Sequence, residues 1–411
     1  MTLEAGRLRR NRDFRLLWIG QSLSTLGGAA SGVALPLLVL STTGSAALTG
    51  IVGLAANAPF VLLQLPLGAY VDRWNRRAVM LCADVGRALA LASLAIAIIL
   101  GHVLFGHVVA VAVLEGSLFV AFRLAEAAAL RAVVPDNQLG QAIALNQARS
   151  YGMSLAGEPL GGLLFGIRAM LPFLADALSY CASLATIAAI RTPLAAPKQQ
   201  APRHLGREIR EGLSVVWSNQ FLRTATLLTA GSDFVINGLF LITLVIATRG
   251  GASSLEVGIM FAIGGLGGVL GSLAAAAAAR RVRSLHLVVA GVMWVAVPLI
   301  ALMALTSNAL LLGVLLGFIL SVWPLYNAVL VARWMKQVPD RIMGRVQAAV
   351  GTLGWAPVPL APVLGGLLLE HVGATSTILI FTAIMFSVAV AATTNRVIRA
   401  ESKAQIGQDA T

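Results

Sequence analysis

The sequence predicts an all-α integral membrane protein with twelve transmembrane helices in two six-helix halves. Hydrophobic residues make up 58% of the 411 residues, charged residues only 11%, and the mean hydropathy is +0.85. A soluble domain carries about 25% charged residues. Apolar segments long enough to cross a bilayer recur along the whole chain. Because only helices and closed barrels satisfy the backbone in lipid, and these segments are too long for barrel strands, we expect a helical bundle.

The apolar segments fall into two groups of six, separated by one long polar break. This break, Thr192 to Asn219, contains three prolines and then an amphipathic stretch over residues 207–217. It predicts an N-terminal half at residues 1–191, a linker at 192–219 and a C-terminal half at 220–411. The predicted spans are residues 14–40, 47–71, 78–100, 103–128, 138–167, 171–191, 221–248, 254–279, 284–305, 308–335, 343–369 and 374–396.

Basic residues are distributed unevenly between the two sides of the predicted membrane. Of 30 Lys and Arg, 25 fall on the side of the termini and the linker, and only Arg168 and Arg249 fall on the other. Cytoplasmic segments carry the basic excess, so both termini and the linker are predicted to be cytoplasmic. The net charge of +13 is then explained by this topology and by attraction to anionic lipids. Because the basic residues are scattered over several loops and not clustered, we expect no nucleic-acid partner. Arg outnumbers Lys 27 to 3, which with abundant Ala indicates a GC-rich bacterium and its cytoplasmic membrane.

Several other chemistries have no support in the sequence. There is no nucleotide-binding G-x-x-x-x-G-K-[ST], no H-E-x-x-H, and no nucleophile-base constellation, and the five His are scattered. Gly264–Gly268 lies inside an apolar segment with no preceding strand, so it predicts close helix packing rather than a dinucleotide loop. Cys82 and Cys181 both lie in apolar segments and imply no disulfide framework. We therefore expect no enzyme, no cofactor and no metal.

A short charged hairpin between the second and third spans is the most specific motif. Residues 68–77 read G-x-x-x-D-R-x-x-R-R, a pattern that resembles the cytoplasmic loop signature of the major facilitator superfamily. The resemblance implies a gating role, in which the Asp sits at a helix end and holds the neighbouring half. The predicted gating residues are Gly68, Asp72, Arg73, Arg76 and Arg77. Residues 279–283, at the corresponding place in the second half, keep the positive charge but lack the Asp. We therefore expect the gating contact to be made by the hairpin of the first half.

The two halves are related by an internal repeat with an offset of 204 residues. Val134-Pro135-Asp136 matches Val338-Pro339-Asp340, and Gly161-Gly162-Leu163-Leu164 matches Gly365-Gly366-Leu367-Leu368. Thr25 and Gly27 match Thr229 and Gly231 at the same offset. A parallel repeat of six spans is the organisation of this superfamily. The resemblance implies a substrate site near the midplane between the halves and alternating access by rocking.

Charged residues inside the fourth span are candidates for proton coupling. Arg123-Leu124-Ala125-Glu126 resembles the span-four signature of drug-proton antiporters, whose Arg is linked to proton transfer. Glu115 and Glu126 are eleven residues apart, so they lie within about 20° on one helix face. The alternative is a structural ion pair. Asp84 and Arg87 lie at i and i+3, a spacing that predicts a self-satisfied structural pair, and Asp176 is also interpreted as structural.

The fifth span contains a glycine-rich motif interrupted by an acid. Its sequence resembles the antiporter signature of exporters, with Glu158 at the usual Pro position and Pro159 following. Proline breaks the hydrogen-bond ladder and glycines admit a neighbouring helix. Gly157, Pro159, Gly161 and Gly162 are therefore predicted to serve helix packing, and Glu158 is a further candidate proton carrier. Arg149, nine residues earlier, lies about 180° away on a straight helix.

Polar and aromatic residues in several spans predict a substrate cavity. In span seven, Asp233 and Asn237 lie on one face at i and i+4, and Asp233 is a candidate for proton coupling. The predicted cavity residues are Asn57, Gln64, Asn237, Tyr326, Asn327 and Trp355. This mixture suits many amphipathic compounds and selects none.

Residues 10–399 as a whole resemble a twelve-span major facilitator. Residues 11–18 and Leu145-Asn146-Gln147 resemble the efflux branch that contains enterobactin exporters and macrolide efflux proteins. The resemblance implies secondary active export of a small amphipathic molecule by proton antiport, with the lipid bilayer and protons as further partners and a functional monomer. Two alternatives remain at this point: an importer or facilitator of a metabolite, and a non-transporting membrane scaffold.

Overall fold

The computed structural model describes residues 8, 10–71, 73–194, 205–278, 284–335, 337–339 and 342–400, with the side chains at 69, 205–209, 276, 277, 335 and 344 excepted. Within this part of the chain every regular element is a helix. The helices are α1 Arg12–Thr43, α2 Ala46–Val71, α3 Arg76–Ile99, α4 Phe105–Val133, α5 Asp136–Ile167, α6 Leu171–Ala188, α7 Leu205–Ser218, α8 Gln220–Arg249, α9 Ser254–Ala278, α10 Leu285–Met303, α11 Ala309–Met335, α12 Met343–Trp355, α13 Leu360–His371 and α14 Gly373–Thr394.

Helix ends follow local capping chemistry. The Asn11 side chain accepts hydrogen bonds from the backbone N–H groups of Asp13 and Phe14 at the start of α1. Asn75 caps α3 and Asn219 caps α8 in the same way. Such caps satisfy donors that the first helical turn leaves unpaired. After α1, Gly44 adopts φ of 69°, a left-handed conformation that suits glycine, and ends the helix.

The predicted all-α membrane fold is confirmed, and the helix count needs one qualification. Eleven segments of the described chain are long and apolar enough to cross a membrane. The predicted fifth span forms α5, whose 32 residues are long enough to cross a bilayer. Its Arg149, Glu158 and several amide side chains make it more polar than the eleven apolar segments. The predicted span 343–369 is interrupted between α12 and α13. Pro357 and Pro359 lie in this interruption, where they cannot donate helical hydrogen bonds.

The chain divides into two compact units. Unit 1 comprises residues 1–44, 51–203 and 253–262, and unit 2 comprises 45–50, 204–252 and 263–411. In unit 1, α1 packs on α5 and α6, while α3 packs on α4 and α6. In unit 2, α8 packs on α12, α13 and α14, while α10 packs on α11 and α14. The same pairings thus recur in both units, as a repeat requires. The boundary predicted within Thr192–Asn219 stays a prediction.

The amphipathic stretch of the predicted linker forms helix α7. Within unit 2 this helix packs on α12, and Gly212 lies against the backbone of Arg345, where an added Cβ would come 2.5 Å from the carbonyl oxygen. Next to it, Glu211 pairs with Arg345 at 2.6 Å. Both partners of this pair are substantially exposed, so it adds about 1 kcal/mol or less to the packing.

Replacing Asp13 with asparagine is expected to loosen the end of α6. One carboxylate oxygen of Asp13 accepts hydrogen bonds from the backbone N–H groups of Arg191 and Thr192 and from the Thr192 hydroxyl, at 3.1, 2.8 and 2.6 Å. Bonds to a charged acceptor contribute about 1.5–3 kcal/mol each, and an amide oxygen accepts more weakly. A lower unfolding temperature of the detergent-solubilised variant tests this. Thr192→Val, which removes only one of the three donors, should have a smaller effect; an effect equal to that of Asp13→Asn would contradict the prediction.

Candidate functional site

The hairpin between α2 and α3 is only partly visible in the described chain. Asp72 lies outside the described residues, so its predicted gating role stays a prediction. Arg77 donates to the carbonyls of Ile190 and Thr192, the latter at 3.2 Å, and thereby holds the end of α6. Arg73 is exposed, and Arg76 is half-buried with its N–H bonded to the Leu194 carbonyl.

Gly68 opens the predicted gating motif, at a position where a glycine could serve close helix approach. Among the described residues, a Cβ added at Gly68 would meet nothing within 4 Å. Close packing therefore does not explain this glycine in the structure.

The acids of α4 find their partners on other helices. Arg149 of α5 lies with its Nη2 atom 3.5 Å from Glu126. Arg123 is exposed, and its guanidinium carbon lies 4.8 Å from the centre of the Phe60 ring. Such a cation–π contact at an exposed site stabilises by about 0.5–1 kcal/mol. The structure thus brings together Glu126 and Arg149, while Arg123 contacts an aromatic ring on α2.

The expected Asp84–Arg87 pair is wrong. Arg87 instead pairs with Glu115 of α4, with its Nε and Nη2 atoms at 2.9 and 2.5 Å from one carboxylate oxygen. The Tyr180 hydroxyl of α6 donates to the same oxygen at 2.8 Å, and the guanidinium carbon lies 4.2 Å from the Tyr180 ring centre. The i, i+3 spacing indicated only a shared helix face, and the packing of α3 on α4 and α6 provides a stronger partner from outside the helix. Sequence analysis missed Tyr180.

The glycines of α5 lie where neighbouring helices come close. A Cβ at Gly157 would lie 2.5 Å from the carbonyl oxygen of Leu26, and one at Gly161 would lie 2.6 Å from the Cα of Ala30. Gly162 faces the backbone of Ser254 in the same unit. Helix α5 continues through Pro159. Next to it, one carboxylate oxygen of Glu158 is buried without a hydrogen-bond partner among the described residues.

Unit 2 contains a polar and aromatic site between α8 and α11. Asp233 lies within hydrogen-bonding reach of the Trp323 side chain. Thr229 and Tyr326 share a hydrogen bond of 2.7 Å between their hydroxyls, and the rings of Trp323 and Tyr326 are 5.2 Å apart. Sequence analysis missed Trp323, although its position three residues before Tyr326 places both on one helix face.

The remaining predicted cavity residues are dispersed. Asn237 donates to the Asp233 backbone carbonyl at 2.9 Å and Asn57 to that of Gly53 at 2.8 Å, so both amides are engaged by their own helices. Asn327 is exposed, whereas Gln64 and Trp355 are half-buried. Asn57 and Gln64 belong to unit 1 and the other cavity residues to unit 2. No group of three or more His, Cys, Asp or Glu within the described ranges is arranged to hold a metal ion.

Comparison with known proteins assigns the chain to a family. The profile of the Major Facilitator Superfamily matches residues 17–359. The chain belongs to the Major Facilitator Superfamily. It is therefore a multi-pass membrane transporter and not an enzyme, which confirms both expectations.

Two relatives in the superfamily align along most of the chain. The multidrug efflux pump Tap of Mycolicibacterium fortuitum is 29% identical over 375 residues, covering 86% of this chain and 88% of Tap. Macrolide efflux protein A of Streptococcus pyogenes is 23% identical over 389 residues, covering 92% and 94%.

Solved structures show the same fold. The nucleoside transporter NupG superposes with a TM-score of 0.74 at 14% identity, covering 92% of this chain and 98% of NupG. A bacterial homologue of the human lysosomal transporter Spinster superposes with a TM-score of 0.67 at 15% identity and covers 97% of both chains. At these identities the likeness concerns the fold alone.

Proposed function

We propose that the protein exports small amphipathic molecules, such as drugs, antibiotics or siderophore-like metabolites, from bacteria. Export proceeds by proton antiport and alternating access. The observation that carries this proposal is the similarity to two efflux proteins over more than four-fifths of the chain. In this proposal the protein is a monomer in the cytoplasmic membrane with both termini in the cytoplasm, in keeping with the 25 basic residues on that side.

Charges buried in the spans support coupling to an ion gradient. Ionisable groups inside a membrane cost about 2.5–3.5 kcal/mol each on insertion scales, so they are retained where they have a task. The described residues of unit 1 include the ion pairs Arg87–Glu115 and Arg149–Glu126, each between two helices. These pairs link α3 to α4 and α4 to α5. Protonation of either acid would weaken the ion pair and with it the contact between the two helices that it joins.

Ethidium retention in an efflux-deficient bacterial host tests the proposal. Wild type should lower retention, and a protonophore should abolish this effect. Glu126→Gln at matched membrane levels should weaken export, because the amide cannot pair with Arg149 as a carboxylate does. Arg131→Ala serves as a control on the same helix, since Arg131 is exposed in the last turn of α4. Export that persists with the protonophore would rule out proton antiport, and accumulation of solute above the empty-vector level would indicate an importer.

The site on α8 and α11 predicts a preference for cationic substrates. A carboxylate beside two aromatic rings favours an organic cation by charge and by cation–π attraction. Asp233→Asn should reduce ethidium export about tenfold, which corresponds to ~1.4 kcal/mol, while export of uncharged chloramphenicol changes less. Parallel efflux assays on the two compounds measure this difference. Asp233→Glu should restore part of the ethidium export, and an equal loss for both compounds would contradict a charge-recognition role.

A further inference from the structure

We propose that the buried cluster of Asp84, Glu115 and Asp176 around Arg87 and Tyr180 is the proton-binding site of this transporter. The cluster joins three helices of unit 1: Asp84 and Arg87 lie on α3, Glu115 on α4, and Asp176 and Tyr180 on α6. The proposal rests on the proposed proton antiport and names the residues that carry it. Sequence analysis predicted proton coupling for Glu115 alone among these residues. It interpreted Asp84, Arg87 and Asp176 as structural and missed Tyr180.

Within the cluster, the guanidinium of Arg87 forms an ion pair with the carboxylate of Glu115. Arg87 is 6% exposed and directs both its Nε and Nη2 atoms to the same oxygen of Glu115. The rings of Tyr180 and Phe119 lie 4.2 and 5.4 Å from the guanidinium carbon and cover it. The other oxygen of Glu115 is buried and has no hydrogen-bond partner within the described chain. Arg87 is thus committed to Glu115.

The unpaired part of the cluster is Asp84. Its side chain is 0% exposed, and neither carboxylate oxygen has a hydrogen-bond partner among the residues that the structure describes. It lies within electrostatic reach of Arg87, Glu115 and Glu126, and the uncharged Ser183 side chain lies within hydrogen-bonding reach. A buried carboxylate without a partner costs several kcal/mol, whereas a protonated carboxyl does not carry that charge penalty. Asp84 is therefore the buried carboxyl of the cluster without an ion-pair partner of its own among the described residues, which makes it the position where a bound proton relieves the largest cost.

The hydrogen bonds of the Tyr180 hydroxyl concern the second buried acid, Asp176, whose side chain is also 0% exposed. The hydroxyl lies 2.8 Å from Glu115 and 3.3 Å from an oxygen of Asp176. It has one proton, so it can donate to only one of the two acids at a time. While it donates to Glu115, a hydrogen bond between the hydroxyl and Asp176 forms only if a protonated Asp176 carboxyl donates it, and the other Asp176 oxygen accepts from Ser179 at 3.1 Å. When Asp176 releases its proton, the hydroxyl can turn towards it and leave Glu115 to Arg87.

The charges on the surrounding helices leave an acidic surplus. Glu126 of α4 is occupied by Arg149 of α5. Helix α1 approaches Asp176 through Gly27, where a Cβ would lie 2.5 Å from the carboxylate, and its Gln21 hydrogen-bonds Ser183 without adding charge. Three carboxyls therefore face the single guanidinium of Arg87 among the side chains described here. A bound proton removes part of this surplus negative charge and needs no further ligands, so we assign the cation as a proton.

The second half of the chain shows that the helix pairings do not require these charges. At the repeat offset of 204 residues, the positions of Asp84, Arg87, Glu115, Asp176 and Tyr180 correspond to Val288, Gly291, Ile319, Ile380 and Ile384. Helices α10, α11 and α14 nevertheless pack in the same pairs as α3, α4 and α6. A cluster that costs free energy in one copy and is dispensable for the fold in the other serves a purpose besides packing.

Charge displacement on proton binding provides a test that needs no substrate. The full chain is reconstituted in liposomes on a solid-supported membrane, and a pH jump is applied with the proton as the only ligand. Wild type should give a transient current that is lost in Asp84→Asn and in Asp176→Asn. Asp136→Asn, which neutralises an exposed acid at the start of α5, should keep it. Size-exclusion profiles verify folding, and Asp84→Glu, which keeps the acid, should retain the current if the asparagine variant does not fold.

The outcomes separate the site from the proposed function. Currents of wild-type size in both asparagine variants, with protonophore-sensitive ethidium export intact, would overturn the site and leave the antiport proposal standing. A current that needs Asp84 in a chain that exports no ethidium or other compound would support the site and contradict the export proposal. A current elicited by a sodium jump at constant pH, and lost in Asp84→Asn, would overturn the proton in favour of sodium.

Discussion

Arg87→Met should produce the largest loss of folded protein of any single substitution considered for this chain. The change keeps an apolar stem of similar length but leaves Glu115 inside the membrane without its guanidinium, and it removes the cation between the rings of Tyr180 and Phe119. Breaking a buried pair by removing one partner costs about 3–5 kcal/mol, because the other charge remains uncompensated. Fluorescence-detected size-exclusion chromatography after graded heating measures the loss.

A second substitution should reverse most of this effect. In Arg87→Met/Glu115→Leu both members of the pair are apolar, so the penalty of the unpaired carboxylate disappears. The double variant should therefore unfold at a higher temperature than Arg87→Met alone. Arg131→Met, at an exposed arginine of α4, provides the matched control and should unfold as wild type does. If the double variant is no more stable than Arg87→Met, the loss comes from packing rather than from the buried charge.

Two adjacent glycines of α9 should differ in their response to alanine, with only the first substitution destabilising the protein. A Cβ at Gly267 would collide with the backbone of Gly317 on α11, and neither backbone can turn aside as a flexible side chain would. Overpacking of this kind costs about 1–3 kcal/mol. A Cβ at Gly268 would lie 3.9 Å from the Cβ of Leu320, an ordinary contact. There the alanine should be neutral or stabilise by up to about 1 kcal/mol, since glycine is the poorer helix former.

Thermal unfolding of the two alanine variants side by side measures this difference. Both substitutions add one methyl group to the same turn of the same helix, so general effects of the membrane or the detergent cancel. Gly267→Ala should unfold at a lower temperature than wild type and Gly268→Ala at the same or a higher one. Equal unfolding temperatures for both variants would show that α9 and α11 are not in close contact at Gly317.

Elements whose cause is local were predictable from the sequence. The spans, the amphipathic helix α7 and the capping by Asn75 and Asn219 depend on composition and on the nearest few residues. The break between α12 and α13 was also encoded locally, in Pro357 and Pro359, but an apolar stretch of full span length concealed it. The superfamily followed from the charged hairpin and the repeat.

The pairing of charges was not predictable in this way. Arg87 meets Glu115 28 residues further along the chain, and Glu126 meets Arg149 on the next helix. These contacts depend on how each helix is rotated about its own axis. In apolar spans the polar pattern that normally reveals the buried face is weak, since lipid and protein interior accept the same side chains. Spacing along one helix therefore suggested the neighbour Asp84 for Arg87, whereas the structure selects a residue from another helix.

The recurrence of helix pairings in both units has a consequence for the history of the chain. The two copies share their helix pairings and a sequence offset of 204 residues, which we interpret as the duplication of one six-helix unit, but they differ in their charged residues. The first copy carries ionisable side chains in the interior of α3, α4 and α6, while the equivalent positions of the second are aliphatic or glycine. At these five positions the first copy must therefore preserve charge as well as shape, whereas at the equivalent positions the second copy needs only to preserve shape.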